Sequence, residues 1–193
     1  MKKAVDTFAS VLLTILILFS SQAKASADNF VVLPGDILQI TVWKEDGMDR
    51  EVQVLSDGTI TFPLIGTVKV QDKTLQEVQS AIKMLLASAI PVASVTVSVN
   101  APLGHKVSIL GQVQKPGEFV MNASIGVMQV VSQAGGLTPY ADKGKITIIR
   151  RTAEGGKEVI EFPYKNISRG KDLDKDIDLK PGDVVIVPDS GLF

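Results

Sequence analysis

The chain has no cysteine, one histidine and one tryptophan in 193 residues. Without cysteine there is no disulfide, no thiolate metal site and no thiol nucleophile. There is also no cysteine to carry a lipid behind a leader peptide. A single histidine, His105, excludes any multi-histidine metal site. A Ser-His-Asp triad would have to use it, yet no Gly-x-Ser-x-Gly nucleophile elbow is present. Aromatic residues make up 5% of the chain, so the stacking platforms of many sugar-binding clefts are not evident. Neither charge dominates: 20 basic residues face 21 acidic ones, and no basic block occurs. Nucleic-acid binding by phosphate neutralisation would need such a block. Long apolar runs are missing too. The longest, Val11 to Phe19 broken by Thr14, is well short of the roughly 20 residues that span a bilayer.

That short run has a recognisable setting. Met1-Lys2-Lys3 precedes it, and Ala23-Lys24-Ala25 and Ala25-Ser26-Ala27 follow as overlapping small-x-small sites. This is the layout of a secretory signal peptide, expected over residues 1–25, with cleavage between Ala25 and Ala27. Removing it through Ala25 takes away Lys2, Lys3, Lys24 and Asp6, which leaves 17 basic against 20 acidic residues. A bacterial periplasm is the expected compartment.

What the chain does have is a phrase used twice. Leu33-Pro34-Gly35-Asp36 runs into Ile37-Leu38-Gln39-Ile40, and Lys180-Pro181-Gly182-Asp183 runs into Val184-Val185-Ile186-Val187. Proline presets a turn, glycine accepts the positive φ that follows, and aspartate bonds the turn backbone. Asp36 and Asp183 therefore read as turn residues before they read as ligands for a sugar or a cation.

Between the two turns the pattern predicts two small modules, residues 30–100 and 104–188. In the first, Leu38, Ile40 and Val42 alternate with Gln39, Thr41 and Trp43, a half-buried strand. Val52 to Leu55, Ser56-Asp57-Gly58-Thr59 and Ile60 to Phe62 read as a hairpin on an Asp-Gly turn. Thr74 and Glu77 form a capping box for a helix whose apolar stripe is Leu75, Val78, Ile82, Leu85 and Ala89. Pro91 stops it, and Val95, Val97 and Val99 alternate with Ser94, Thr96 and Ser98. In the second module, Val107 to Val113 (with Gly111) and Glu118 to Met121 flank a Lys115-Pro116-Gly117 turn. Ser124 is the expected cap of a short helix that Gly135-Gly136 ends. Ile146 to Arg150, Glu158 to Phe162 and Val184 to Val187 complete the strands, with a polar stretch from Asn166 to Asp178. The predicted class is α+β.

Val32-Leu33-Pro34-Gly35-Asp36 to Trp43, Ser56-Asp57-Gly58-Thr59-Ile60 and Pro63-Leu64-Ile65-Gly66 resemble the opening of the bacterial polysaccharide export domain. Leu110-Gly111-Gln112-Val113, Lys115-Pro116-Gly117, Gln133-Ala134-Gly135-Gly136-Leu137-Thr138 and Leu179 to Pro188 resemble a soluble-ligand-binding β-grasp (SLBB) domain. Together they cover nearly all of the mature chain and point to the Wza-like outer-membrane polysaccharide export family. The resemblance implies an N-terminal polysaccharide-export α/β sandwich and a C-terminal β-grasp domain. It also implies a homo-oligomeric ring that conducts capsular or exopolysaccharide. An inner-membrane polysaccharide co-polymerase, often carrying a tyrosine kinase, is the implied partner. The fullest members also carry a lipidated cysteine, further β-grasp modules and a C-terminal amphipathic helix. None is present here, so the expectation is a periplasmic adaptor ring beneath a separate outer-membrane β-barrel.

Other readings compete. Glu45, Asp46, Asp49 and Glu51 could serve glycoside hydrolysis, and a carbohydrate-active enzyme is the alternative of another class. A monomeric periplasmic sugar- or peptidoglycan-binding module is the third. Asp172, Asp174, Asp176, Asp178 and Asp183 superficially resemble a calcium loop, but Ile177 stands where that loop needs glycine. No catalytic residue, metal or cofactor is expected. The residues singled out are structural: Pro34, Gly35, Asp36, Asp57, Gly58, Gly111, Pro116, Gly117, Gly135, Gly136, Pro181, Gly182 and Asp183.

Overall fold

The computed structural model describes residues 30–152 and 154–191. The leader expected over residues 1–25 lies outside them. The described chain is α+β throughout. Its first half holds β1 (Ile37–Val42), β2 (Asp49–Gln53), β3 (Thr59–Phe62), β4 (Gly66–Lys69), α1 (Leu75–Leu86) and β5 (Val95–Ala101). β2, β1 and β5 form an antiparallel sheet in that order, and β3 pairs with β4. Alternation sorts the sheet's faces. Leu38, Ile40 and Val42 are buried, and Val99, Val97 and Val95 stand opposite them on β5. The other face carries Gln39 beside Ser98 and Glu51, and Thr41 beside Thr96 and Asp49.

The helix forms where the capping box predicts. Thr74 accepts from the Glu77 N–H, and the Glu77 carboxylate accepts from the Thr74 N–H at 2.7 Å. Its buried residues are Val78, Ile82 and Leu86, and Leu85 is about half exposed. The expected stripe through Leu85 and Ala89 is corrected here. At 100° per residue, positions seven and eight beyond Val78 flank the arc of Leu75, Val78 and Ile82 almost equally, about 50° to either side. The pattern cannot choose between them; the position of β5, against which the helix packs, does. Each buried member contributes about 1.5–3 kcal/mol.

The Asp-Gly hairpin is also corrected. The turn itself forms: Gly58 N–H donates to Leu55 O and Thr59 N–H to Asp57 Oδ1. Yet β2 pairs with β1, and β3 pairs with β4 across the turn Pro63-Leu64-Ile65. Two long-range ties explain it. Both backbone groups of Val54 are taken by the first Pro-Gly-Asp turn, and Gly58 O accepts from Val70 and Gln71 at the end of the next hairpin. The Asp-Gly turn thus moves the chain from one sheet to another.

The second half holds β6 (Lys106–Gly111), β7 (Gly117–Val120), α2 (Val127–Gln133), β8 (Ile146–Arg151), β9 (Lys157–Phe162), α3 (Tyr164–Ile167), a 3-10 turn (Leu173–Lys175) and β10 (Val184–Val187). The sheet order is β7-β6-β10-β8-β9, with β6 and β10 parallel and every other pair antiparallel. A first and a last strand side by side, with a hairpin on each flank and a helix against one face, is a β-grasp. Val127, Val130 and Val131 of α2 share one buried cluster with Val107, Ile109, Ile146, Ile148, Phe162, Val185 and Val187.

One expectation fails in this half. Ser124 does not cap α2; the cap position is Gly126, which makes no side-chain bond. Asp176 does the capping from 48 residues away, its Oδ1 accepting from Met128 N–H at 3.1 Å. A Cβ at Gly126 would stand 2.9 Å from that oxygen, so a larger residue there would push the Asp176 carboxylate aside. The polar stretch from Asn166 to Asp178 holds the end of α3 and the 3-10 turn.

Candidate functional site

The repeated phrase builds the same turn twice. Gly35 has φ +97° and Gly182 +87°, the left-handed values that the third position of such a turn demands. In each, the aspartate N–H donates back three residues, at 3.1 Å to Leu33 O and 3.0 Å to Lys180 O. In each, the carboxylate accepts from that same residue's N–H, at 2.9 Å for Leu33 and 2.8 Å for Lys180. Asp36 and Asp183 are the only polar residues in the buried class among the described residues.

Their remaining bonds differ. Asp36 Oδ1 accepts from Gly104 N–H at 2.7 Å, and its Oδ2 lies 3.3 Å from His105 Nε2. His105 Nε2 is also 3.1 Å from Val31 O. Both neighbours are acceptors, so Nε2 carries the proton. Asp36 thereby ties the first half to the residues that open the second. The contact is tight: a Cβ at Gly104 would lie 2.7 Å from Pro34 O and 2.9 Å from Asp36 Oδ1. Asp183 instead receives Arg150, through Nη2 at 2.7 Å and Nε at 3.0 Å, while Nη2 also donates to Asp178 O. Hydrogen bonding to Asp183 is the main cause that raises the Arg150 guanidinium above its ordinary value, against the opposing effect of burial.

The other singled-out residues stay separate. Asp57 and Gly58 make the sheet-changing turn, and Pro116 and Gly117 join β6 to β7. Gly135 and Gly136 end α2 at φ +79° and +87°. Gly111 allows a close approach, because a Cβ there would stand 2.0 Å from Val187 O. Of the acidic loop, Asp49 accepts from Gln39 Nε2 and from Thr41 Oγ1, and Glu51 accepts from Asn100 Nδ2. Glu45 and Asp46 are exposed. In the aspartate-rich stretch, Asp172 accepts from Asn166 Nδ2 and Asp176 caps α2. No group of three or more His, Asp or Glu side chains suited to a metal occurs among the described residues.

Two surfaces remain. One is the outer face of the β2-β1-β5 sheet, a lattice of hydroxyl, amide and carboxylate groups. The other is a groove of about 920 Å³ whose walls come from both halves: Leu33, Pro34 and Gly104 on one side, Leu110, Ile149, Val184 and Ile186 of the β-grasp sheet on the other. Arg151 and Lys157 also line it. Sequence reasoning missed this groove and also Arg150. A signal existed for the latter: Arg150 continues the inward alternation of Ile146 and Ile148, and a cation on a core face needs a buried acid.

A model of polysaccharide biosynthesis/export proteins matches residues 24–100, and a model of the SLBB domain matches residues 105–187. The chain is 28% identical over 188 residues to the EPS I polysaccharide export outer membrane protein EpsA of Ralstonia nicotianae, covering 84% of this chain and 48% of that protein. It is 26% identical over 168 residues to the protein of the same name from Ralstonia solanacearum, covering 74% and 44%. The chain therefore spans about half the length of the curated relatives it matches. No helix among the described residues is long and apolar enough to cross a membrane.

Proposed function

We propose, for a chain that belongs to the polysaccharide biosynthesis/export family, that it is a non-enzymatic component of capsular or exopolysaccharide export. It acts in the periplasm as an oligomeric conduit or adaptor. Its partners are an inner-membrane co-polymerase with an associated tyrosine kinase and a β-barrel protein in the outer membrane. The observation that carries this reading is that the two domain models match residues 24–100 and 105–187 in order, with only residues 101–104 between them.

The chemistry of the first sheet supports it. A passage for a polar polymer needs a lining that keeps water and does not hold sugar tightly. Thr96, Ser98 and Asn100 are exposed in alternation along β5, with Gln39 and Thr41 beside them on β1. Several of these groups are already bonded to Asp49 and Glu51, which leaves weak, replaceable contacts for passing hydroxyls. We assign this face to the lumen. Asp36 and Asp183, the buried acids, have their oxygens occupied by structural donors, which favours transport over hydrolysis.

Deleting the gene and measuring surface polysaccharide tests the reading. Surface polymer is expected to fall while cell-associated polymer rises, and the intact chain should restore export. Ser98→Trp with Thr96→Trp should block restoration without loss of folded protein. Unchanged export in the deletion strain overturns the reading. So does shortening of the polymer by purified protein, which would make the chain an enzyme.

A further inference from the structure

The β-grasp helix covers one face of its sheet. The opposite face carries an apolar patch at its centre, flanked by Ser108, Thr147 and Glu161. The registers place Leu110 beside Ile186, Val184 beside Ile149, and Ile149 beside Val159. Leu110 is 48% and Val159 65% exposed. Water on an aliphatic face of this kind marks an interaction site. At its edge Arg151 stands directly opposite Lys157. Both are exposed, and neither has an acidic partner among the described residues. Like charges opposite one another weaken a strand pair. Sequence has thus placed two uncompensated cations beside an apolar floor, which fits an occupant that is apolar and doubly acidic.

The chain itself carries such a segment. The loop after β1 presents Trp43, 68% exposed, then Lys44, Glu45 and Asp46, all exposed; the two acids outnumber the one lysine, and neither acid has an ion-pair partner among the described residues. Trp43 N–H bonds Ser94 O, so Val92, 92% exposed, lies in the neighbouring segment. This loop does not reach the groove of its own copy. None of residues 37–46 lines that groove, and the six residues of β1, about 20 Å, separate the loop from the Asp36–Gly104 junction beside it.

We infer that the Trp43–Asp46 loop of one copy seats in the Arg151/Lys157 groove of the next. The indole meets Leu110, Ile149, Val184 and Ile186, and Glu45 and Asp46 meet the two cations. Tryptophan at the centre of a desolvated patch is the commonest energetic anchor of an interface. A sugar suits the floor poorly, because its hydroxyls would lose water against aliphatic groups with no bond in return. The contact joins two different surfaces, so one-way repetition produces a ring or a filament, whereas reciprocal seating about a two-fold axis would stop at a dimer; sedimentation separates the two. This inference rests on the oligomeric reading above and names the surfaces that would build it.

Sedimentation of the mature protein and the emission of its one tryptophan test the pairing. The wild type is expected to assemble with concentration, its emission shifting to the blue as Trp43 leaves water. Trp43→Ala should weaken association at least about 30-fold. Two charge reversals, Arg151→Glu with Lys157→Glu and Glu45→Lys with Asp46→Lys, should each give monomers. Mixing the two should restore assembly, since each then offers the surface the other needs; a folding defect would not be rescued this way. Reversal variants that assemble alone like the wild type, or a mixture that stays apart, overturn the pairing. Normal assembly of the groove variant with loss of binding to a polyuronate probe would make the groove a polymer site and also overturns it. An assembly indifferent to both reversals leaves the conduit reading standing, whereas a wild type monomeric at millimolar concentration defeats the oligomer altogether.

Discussion

Replacing Asp36 by asparagine keeps the shape of the side chain and removes half of its accepting capacity. In the native junction one oxygen accepts from Gly104 N–H at 2.7 Å, and the other accepts from Leu33 N–H at 2.9 Å and faces His105 Nε2 at 3.3 Å. Asparagine has one oxygen and one amide nitrogen. Whichever way it turns, the nitrogen opposes an N–H that needs an acceptor. A hydrogen bond to a charged group is worth roughly 1.5–3 kcal/mol, and a stranded buried donor carries its own penalty of about 1–3 kcal/mol. Asp36→Asn should therefore destabilise by about 2–3 kcal/mol, since water reaches the junction in part and the two terms do not add in full. In a chain of this size that lowers the melting temperature by about 5–10 °C. The measurement is urea denaturation followed by circular dichroism, with limited proteolysis between Pro102 and His105 as a local readout. Faster cleavage there should accompany the loss of stability. A variant within about 0.5 kcal/mol of the wild type, uncleaved at the junction, would refute the assignment of Asp36 as the tie between the halves.

Further outcomes follow from the same reasoning. Asp183→Ala strands a half-buried Arg150 and should cost about 3–5 kcal/mol, with the damage read by hydrogen exchange in β8 and β10. Asp176→Ala removes the remote cap of α2 and should cost about 0.5–2 kcal/mol by denaturation, while Ser124→Ala should change little. Gly111→Ala puts a methyl group 2.0 Å from Val187 O at a φ of +91° and should abolish a stable fold, whereas Gly47→Ala, with open space around it, should cost only about 1–2 kcal/mol. Backbone and side-chain bonds from Thr74 hold the Glu77 carboxyl below its usual value of 4.5. A depressed folded pKa means that its contribution to stability is complete above the unfolded value and disappears as pH falls through the folded one. A carboxyl titration by NMR should show this midpoint move up in Thr74→Ala.

Much of the architecture was legible because it rests on local chemistry. The Pro-Gly-Asp turns, the capping box at Thr74 and Glu77, the Val95–Val99 alternation and the Gly135-Gly136 stop are each determined within a few residues. What failed to show was decided across space. Asp57-Gly58 signals a hairpin correctly as a turn, but the partner of β2 is chosen by Val54 bonding the first Pro-Gly-Asp turn. Asp176 reaches α2 over 48 residues, and no local pattern carries that. Leu85 and Leu86 are nearly equivalent on the helix wheel until β5 is in place. The groove was invisible for a similar reason: its lining comes from residues 33 to 186, and it exists only where two surfaces approach. Arg151 and Lys157 are plain as cations in the sequence, yet their opposition across β8 and β9 is a matter of register.

The parallel pairing of β6 with β10 has a mechanical side. The β-grasp unit begins and ends on adjacent strands that run the same way. Tension applied to its two ends pulls them past each other along their length. The backbone bonds between Ser108–Gly111 and Val184–Val187 then bear the load together, in shear, instead of opening one after another like a zipper. A unit strung between an inner and an outer anchor would resist stretching there more stiffly than its modest size suggests.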